Sequence, residues 1–280
     1  MRVCLVQLEV CKSSARVEDR LAHISSKLVA ATEGGELDLI LLPEMAFSNY
    51  CLSDELEALD KARREPEIME WAKQVAVQYS CYLAFGLVGA NNGKPENKLV
   101  VVSPAGQVVH EQIKRFLYYS DLKWTRACAS QFVSVELTLP TAPQTKVQAM
   151  FAICNDINGP DFKEMDQFHL ATAAMEQRVQ VLFLSAAWCS AHPKSPRTAH
   201  DEEITPSDQL EYWYQRLLPL VGSKCYFCVA DLVGREPLNQ LGKRIRYCGT
   251  SCFADMQTSK LLAPPCGTSG EQVLIADLLL

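Results

Sequence analysis

Apolar and polar residues alternate at the start of the chain, in "MRVCLVQLEV", which predicts a β-strand. The period then changes. Val17, Leu21, Ile24, Leu28 and Ala31 recur at helical spacing after Ser13 and Ser14, which can cap a helix, and Gly34-Gly35 marks its stop. "LDLILLPE" is a continuous apolar run ending in an acid, as expected of a buried strand. Ile68, Trp71, Ala72, Val75 and Tyr79 share one face of a second helix, which leads into the strand "CYLAFGLVGA". This is a β-α-β-α-β rhythm, typical of α/β layers. "NKLVVVSPAGQVVHEQI" then reads as two strands around a Pro-Ala-Gly turn, a hairpin that adds antiparallel character.

The second half has a similar rhythm. After the link "TLPTAPQTK" come a strand running into Cys154, a helix expected over 164–178, the strand "VQVLFLSAAW" and a long polar loop. Pro206 fits the first turn of a further helix on which Leu210, Trp213 and Leu217 line up. Strands "KCYFCVADLVG" and "GTSCFADM" follow, and "EQVLIADLLL" closes the chain. The reading is one domain over residues 1–280, of α/β class, with two similar halves around paired sheets and no sequence repeat.

Composition narrows the classes of partner. A formal charge of -6 and no basic run longer than "KRIR", read as a solvated turn, argue against nucleic acid. Lys12 interrupts the first apolar segment too early for a signal peptide, and no run is long enough to span a membrane. The 12 cysteines are spread through strand-like segments of a long chain, which favours reduced thiols in a cytoplasmic, or also nuclear, compartment.

Three chemically reactive residues occupy equivalent places. Glu44 follows "LILLP", Lys114 follows "VVHEQI" and Cys154 follows "MFAI", each at the end of an apolar strand. In α/β sheets, functional groups gather at the carboxyl ends of strands. A thiolate can attack a carbonyl carbon, a carboxylate can take the thiol proton and later activate water, and an ammonium can stabilise an oxyanion. The plainer alternative is a buried thiol and two strand-end charges reaching solvent.

The segments "LILLPEMAFSNY", "IKRFLYYSD", "AICNDIN", "VLFLSAAW", "GRE" with "YCGTSCF", and "EQVLIADLLL" resemble, in order and spacing, the nitrilase superfamily of carbon–nitrogen hydrolases. The resemblance spans nearly the whole chain and implies an α-β-β-α sandwich. It also implies Glu44 as general base, Lys114 as catalytic lysine and Cys154 as nucleophile, with no cofactor or metal. Asp156 matches the acid two residues after the cysteine, and the Asn155 N–H would join the lysine in holding the oxyanion. "KRFLYYSDLKW", "CNDINGPDF", "SAAW" and "YWYQRLLPL" look most like the branch acting on N-terminal Asn and Gln of proteins. Trp188 and Trp213 fall where that branch carries tryptophans. The implied activity is release of ammonia from the side-chain amide of an N-terminal Asn or Gln, feeding N-end-rule degradation. Protein or peptide N-termini are then the substrates, with Asn155, Asp156 and Trp188 on the substrate side, and a homo-oligomer is a further expectation.

Departures from the pattern cluster near the chemistry. The superfamily's second glutamate aligns with Ala127, and no carboxylate stands between Asp121 and Glu136. Gln112-Ile113 replaces the aromatic-basic pair before the lysine, Ala152 replaces a glycine, and Asp231-Leu232 replaces Asn-Arg. Losing a supporting carboxylate would loosen Lys114 and Glu44. A small-molecule ω-amidase and a catalytically degenerate binding protein are therefore alternatives. A free α-amino group needs a carboxylate near the pocket; Asp156 and Asp161 are close in sequence, and the role is unassigned. Cys225, Cys228, Cys248 and Cys252 have zinc-like spacing, but thiols three apart on a strand point to opposite faces, which favours buried thiols. Cys189 beside Trp188 is read as a buried thiol that could line the pocket, His169 as a helix residue near the core, and His192 and His200 as solvated loop residues.

Overall fold

The alternation in β1 (Arg2–Glu9) sends its side chains into two different cores. Val3 and Leu5 join one apolar cluster, and Cys4, Val6 and Leu8 join another. In the computed structural model, which describes residues 1–32, 34–189, 205–238 and 244–280, these cores are two interfaces of a layered sandwich. The elements following β1 are α1 (Val17–Thr32), β2 (Leu39–Leu41), α2 (Glu55–Ala62), α3 (Glu65–Gln78), β3 (Tyr82–Asn91), β4 (Lys94–Val102) and β5 (Val108–Ile113). Then come β6 (Ser134–Thr138), β7 (Lys146–Ile153), α4 (His169–Glu176), β8 (Val181–Ala186), α5 (Pro206–Arg216) and β9 (Tyr226–Leu238). β10 (Arg244–Cys248), β11 (Cys252–Asp255), β12 (Lys260–Leu261) and β13 (Gln272–Asp277) complete the chain.

The strands follow the path β5-β4-β3-β2-β1-β9-β8-β7-β6. β13 runs antiparallel beside β1 over Arg2–Gln7, so only Leu8 and Glu9 of β1 meet β9, opposite Leu232 and Val233. That short seam joins two sheets whose inner faces pack together. Val3, Leu41, Ala84 and Val101 of one sheet share a cluster with Phe151, Val181 and Phe183 of the other. Phe151 and Phe183, paired in register on β7 and β8, stack with centroids 5.0 Å apart. Helices α1, α2 and α3 cover the first sheet through Leu21, Ile24, Leu28, Ala58, Ile68 and Val75. α4 and α5 pack on the second through Leu170, Ala174 and Trp213, the last edge-on to Phe227 at 6.1 Å. The expected α-β-β-α sandwich is the observed fold.

Several local expectations need correction. The helix expected over 164–178 is shorter, because Glu164 and Phe168 adopt left-handed backbone (φ 53° and 49°), which a helix cannot continue through. α2 lacks a long periodic pattern and is set instead by Asp54, whose side chain accepts the Glu57 N–H as an N-cap. Asn92-Gly93, both at positive φ, turn β3 back into β4 as an extra hairpin. Part of the basic run read as a turn, Arg244 to Arg246, lies in β10 with Ile245 buried. The Pro206 helix begins as expected, with Thr205 and Asp208 forming a reciprocal capping box. His192 and His200 lie outside the described residues, as does the side chain of Asp161. No helix among the described residues is long and apolar enough to cross a membrane.

Candidate active site

Three strand ends converge. Glu44 follows β2, Lys114 follows β5 and Cys154 follows β7, and the structure buries Glu44 and Lys114 completely. Lys114 Nζ donates to Glu44 Oε1 at 2.7 Å and to Asp121 Oδ2 at 2.5 Å, with Tyr50 Oη at 3.3 Å. Asn97 Nδ2 donates to Glu44 Oε1 at 2.7 Å, and the Ala187 N–H donates to Oε2 at 3.0 Å. Both carboxylate oxygens of Glu44 are therefore fixed.

Local backbone explains how Glu44 reaches this position. The next residue, Met45, is left-handed (φ 53°), turning the chain sharply after β2. Gly86 on β3 lies so close that an added Cβ would stand 2.6 Å from Glu44 Cα, so this strand needs a glycine there. Arg20 Nε donates to Ala46 O at 2.7 Å, tying the turn to α1. Glu236 receives the N–H groups of Tyr50 and Cys51 at 2.5 and 3.0 Å and the Tyr247 hydroxyl at 3.0 Å, which holds Tyr50 over the ammonium.

Lys114 is placed by the β4–β5 hairpin. Lys98 pairs with Ile113, and the Lys114 N–H continues the ladder to Asn97 O at 2.8 Å, bringing the Asn97 amide and the lysine to the same carboxylate. Asp121 arrives seven residues later on a tight 3₁₀ turn, where its Oδ2 also accepts the Tyr118 N–H at 2.9 Å. The glutamate that the sequence reading finds missing at position 127 has no substitute from that loop, since Ala127 is exposed and Glu136 pairs with Lys146 on the surface; the second carboxylate on Lys114 is Asp121.

Cys154 opens a 3₁₀ turn, Cys154–Ile157, with φ 41°, a strained backbone for a residue bearing a Cβ. Asp156 secures that turn. Its Oδ1 accepts the Arg115 and Phe116 N–H groups, both at 2.8 Å, and its Oδ2 accepts the Ile153 N–H at 2.9 Å. One carboxylate thus locks the lysine segment to the cysteine segment. Asp156, expected on the substrate side, stands behind the site with both oxygens occupied. Asn155 is buried, its side chain donating to Leu117 O at 3.0 Å and accepting from Asn158 at 2.9 Å, which leaves its backbone N–H in the first turn. Trp188 is half-buried beside Tyr212 and Trp213, with centroids at 5.3 and 6.0 Å. The Cys189 thiol donates to Tyr118 Oη at 3.2 Å. His169, expected near the core, begins α4 with its ring against Phe116 and Glu164.

The electrostatics follow from burial. Desolvation pushes the Glu44 carboxyl up, opposed by the Lys114 ammonium and reinforced by the Asp121 charge. For Lys114, burial alone would favour the neutral amine, but Asp121 and Glu44 outweigh it and hold the group above its ordinary value. Burial and the Glu44 charge raise the Cys154 thiol, while Lys114 and the Ala187 N–H draw it down. Two carboxylates around one ammonium leave the cluster negative, so a resting thiolate would add a further buried charge. Moving the thiol proton to Glu44 keeps the net charge constant, the arrangement wanted for base-assisted attack. Cys225, Cys228 and Cys252 sit within the core between strands and helices. Among the described residues no group of three potential ligands could hold a metal.

The sequence reading missed Asn97, Tyr50, Asp121, the Ala187 N–H and Glu236. Only Asp121 had a local signal, as the acid opening a turn soon after the lysine. The others reach the site through hairpin register and sheet order.

A Saccharomyces cerevisiae protein described as protein N-terminal amidase is 22% identical over 208 residues, covering 67% of this chain and 45% of the yeast protein. The chain thus spans less than half the length of that relative. A crystal structure of an N-terminal amidase superposes with TM-score 0.81 at 14% identity, over 99% of this chain and 97% of the other. The same kind of enzyme with an Asn-Glu peptide gives 0.82 at 14% identity, over 98% and 96%. A carbon–nitrogen hydrolase from Helicobacter pylori G27 gives 0.77 at 16% identity, over 99% and 88%. The profile of the carbon–nitrogen hydrolase family matches residues 2–280, and with this fold the chain belongs to that family.

Proposed function

We propose that this chain is a cysteine-dependent amidohydrolase that converts N-terminal Asn or Gln of peptides and proteins to Asp or Glu with release of ammonia. The observation that carries the reading is the fully buried Glu44–Lys114 contact of 2.7 Å, set beside a thiol on a strained turn. In the first half-reaction the Cys154 S–H proton passes to Glu44 as sulfur bonds to the amide carbon. Lys114 and the Asn155 N–H stabilise the oxyanion. The C–N bond breaks as Glu44 returns its proton to the leaving ammonia, giving a thioester. In the second, Glu44 takes a proton from water as the oxygen attacks, and the C–S bond breaks with sulfur recovering the proton. No other group is needed to balance either step.

The likeness to N-terminal amidase structures, including one with a Gln-Val peptide, supports the N-terminal substrate class. The degenerate-homologue alternative rests on the glutamate missing at position 127, and the Asp121 carboxylate on Lys114 supports a lysine held in place without it. The cysteines are all free, which suits a reducing cytoplasmic or nuclear setting. The test is ammonia release from peptides differing only at residue one (Asn, Gln, Asp or Gly), beside free glutamine, with wild type and Cys154→Ala. Release from Asn or Gln peptides that the substitution abolishes supports the reading. Release from free glutamine alone would replace it with a small-molecule amidase, and no release from folded protein would overturn it.

A further inference from the structure

β9 changes partners at one residue. Up to Asp231, which faces Ala186, it is laddered to β8; from Leu232 it is laddered to β1. Where neighbouring strands part in an α/β sheet, a crevice opens. Asp231 lies at that point, fully buried, with its backbone N–H donating to the Ser251 hydroxyl at 2.9 Å. Its Oδ1 accepts the Trp188 N–H at 2.7 Å, while its Oδ2 has no hydrogen-bond partner among the described residues. A buried carboxylate oxygen left unpaired is costly, and the surrounding framework does not need it. Burial pushes the carboxyl well above its usual range, the Trp188 N–H on Oδ1 draws it down, and Glu44 raises it again. Consecutive backbone N–H groups tie it to the catalytic centre, Ala187 donating to Glu44 Oε2 at 3.0 Å and Trp188 to Asp231, and the Asp231 charge in turn raises the Cys154 thiol.

The other buried acids at the site are already engaged. Glu44 and Asp121 are on Lys114, and Asp156 is on three backbone N–H groups. We propose that Asp231 receives the α-ammonium of the substrate on Oδ2 and is the residue that confines the reaction to chain termini. This rests on the amidase reading given above. In an N-terminal Asn, only Cα and Cβ stand between the amide carbon and the ammonium nitrogen, with one methylene more in Gln. A carboxylate near the nucleophile is therefore placed to meet the ammonium when the amide is in position. An internal or acetylated residue offers a neutral amide there, with no positive charge to pair with the carboxylate, which selects against it.

The test compares Asn and Gln peptides with their Nα-acetylated forms, using wild type and Asp231→Asn, which keeps an oxygen for the Trp188 N–H. Wild type should prefer the free amine, and Asp231→Asn should raise KM for free-amine peptides on the order of 10- to 100-fold while leaving acetylated ones unchanged. In the Cys154→Ala background, calorimetry should show the same selective loss in binding. An equal loss for both peptide classes would assign Asp231 a purely structural role and overturn the proposal. If Asp231→Asn does not fold, Asp231→Glu keeps the charge one methylene further out and should shift preference toward Asn over Gln; an unchanged ratio counts against the proposal. Wild type hydrolysing free and acetylated peptides equally would overturn this inference alone. Wild type releasing no ammonia from any of them would overturn the amidase reading, and this inference with it.

Discussion

Asp121 and Glu44 hold the Lys114 ammonium between them, Asp121 Oδ2 at 2.5 Å and Glu44 Oε1 at 2.7 Å, with all three side chains buried. The lysine is fixed by Asp121 even when Glu44 is carrying a proton. That separates the oxyanion-stabilising role from the proton-transfer role, which a lone Glu–Lys pair could not do.

Asp121→Asn therefore changes two things at once. Loss of the second carboxylate loosens Lys114, and kcat should fall about 10- to 100-fold, the usual cost of removing such support. It also removes a like charge that raises Glu44, so the ionised base is favoured and the acid limb of the kcat/KM profile moves to lower pH. Placing a glutamate at exposed position 127 should restore neither. A pH–rate series on the two variants checks both statements; an acid limb moving upward in Asp121→Asn would contradict the assignment.

Glu44→Gln preserves size but cannot accept a proton. Turnover should fall on the order of 10²- to 10⁴-fold. Selective reaction of Cys154 with an amide-like electrophile should slow in parallel, measured by mass spectrometry against the other cysteines. Equal labelling in both proteins would mean that Glu44 does not activate the thiol.

Much of this architecture was legible in the chain, because two periods dominate it. The alternation of β1 and the 3.6-residue spacing of Val17 to Ala31 each describe a face that meets a core, so they survive folding unchanged. The strand-end positions of Glu44, Lys114 and Cys154 were visible for the same reason. Asn97 and Asp231 were not legible as site residues, since the first depends on hairpin register and the second on which strand neighbours β9 at a single residue. Asp156 was misplaced because a carboxylate near a nucleophile looks like a substrate ligand until its three N–H partners are seen.

Asp156→Asn should lower stability by about 1–3 kcal/mol, since an amide nitrogen must then face a backbone N–H. Burial pushes the Asp156 carboxyl from 3.8 up to about 7, opposed by the N–H groups of Phe116 and Ile153. The folded protein therefore holds this proton over a window in which the unfolded chain has released it. The stability it contributes is full below about pH 4 and is lost as pH rises toward 7. Denaturant unfolding across that window should show a shallower decline in the variant; identical slopes would exclude Asp156 as the source.

Gly86→Ala puts a methyl 2.6 Å from Glu44 Cα and 2.9 Å from Met45 N, against backbone that cannot swing aside. A loss of about 1–3 kcal/mol is expected from such overpacking, with activity falling because Glu44 is displaced. Urea unfolding together with kcat shows this directly. A fully active, equally stable Gly86→Ala protein would mean that the turn at Glu44 is softer than its geometry implies.

The central claim is a thioester on Cys154, and trapping it tests that claim most directly. A short peptide with N-terminal Gln is mixed with enzyme, quenched in acid during turnover, and the intact protein is weighed and digested. The account predicts an adduct equal to the peptide minus ammonia, located on Cys154 and absent from Cys154→Ala. An adduct on another cysteine, or ammonia release that continues in Cys154→Ala, would contradict it.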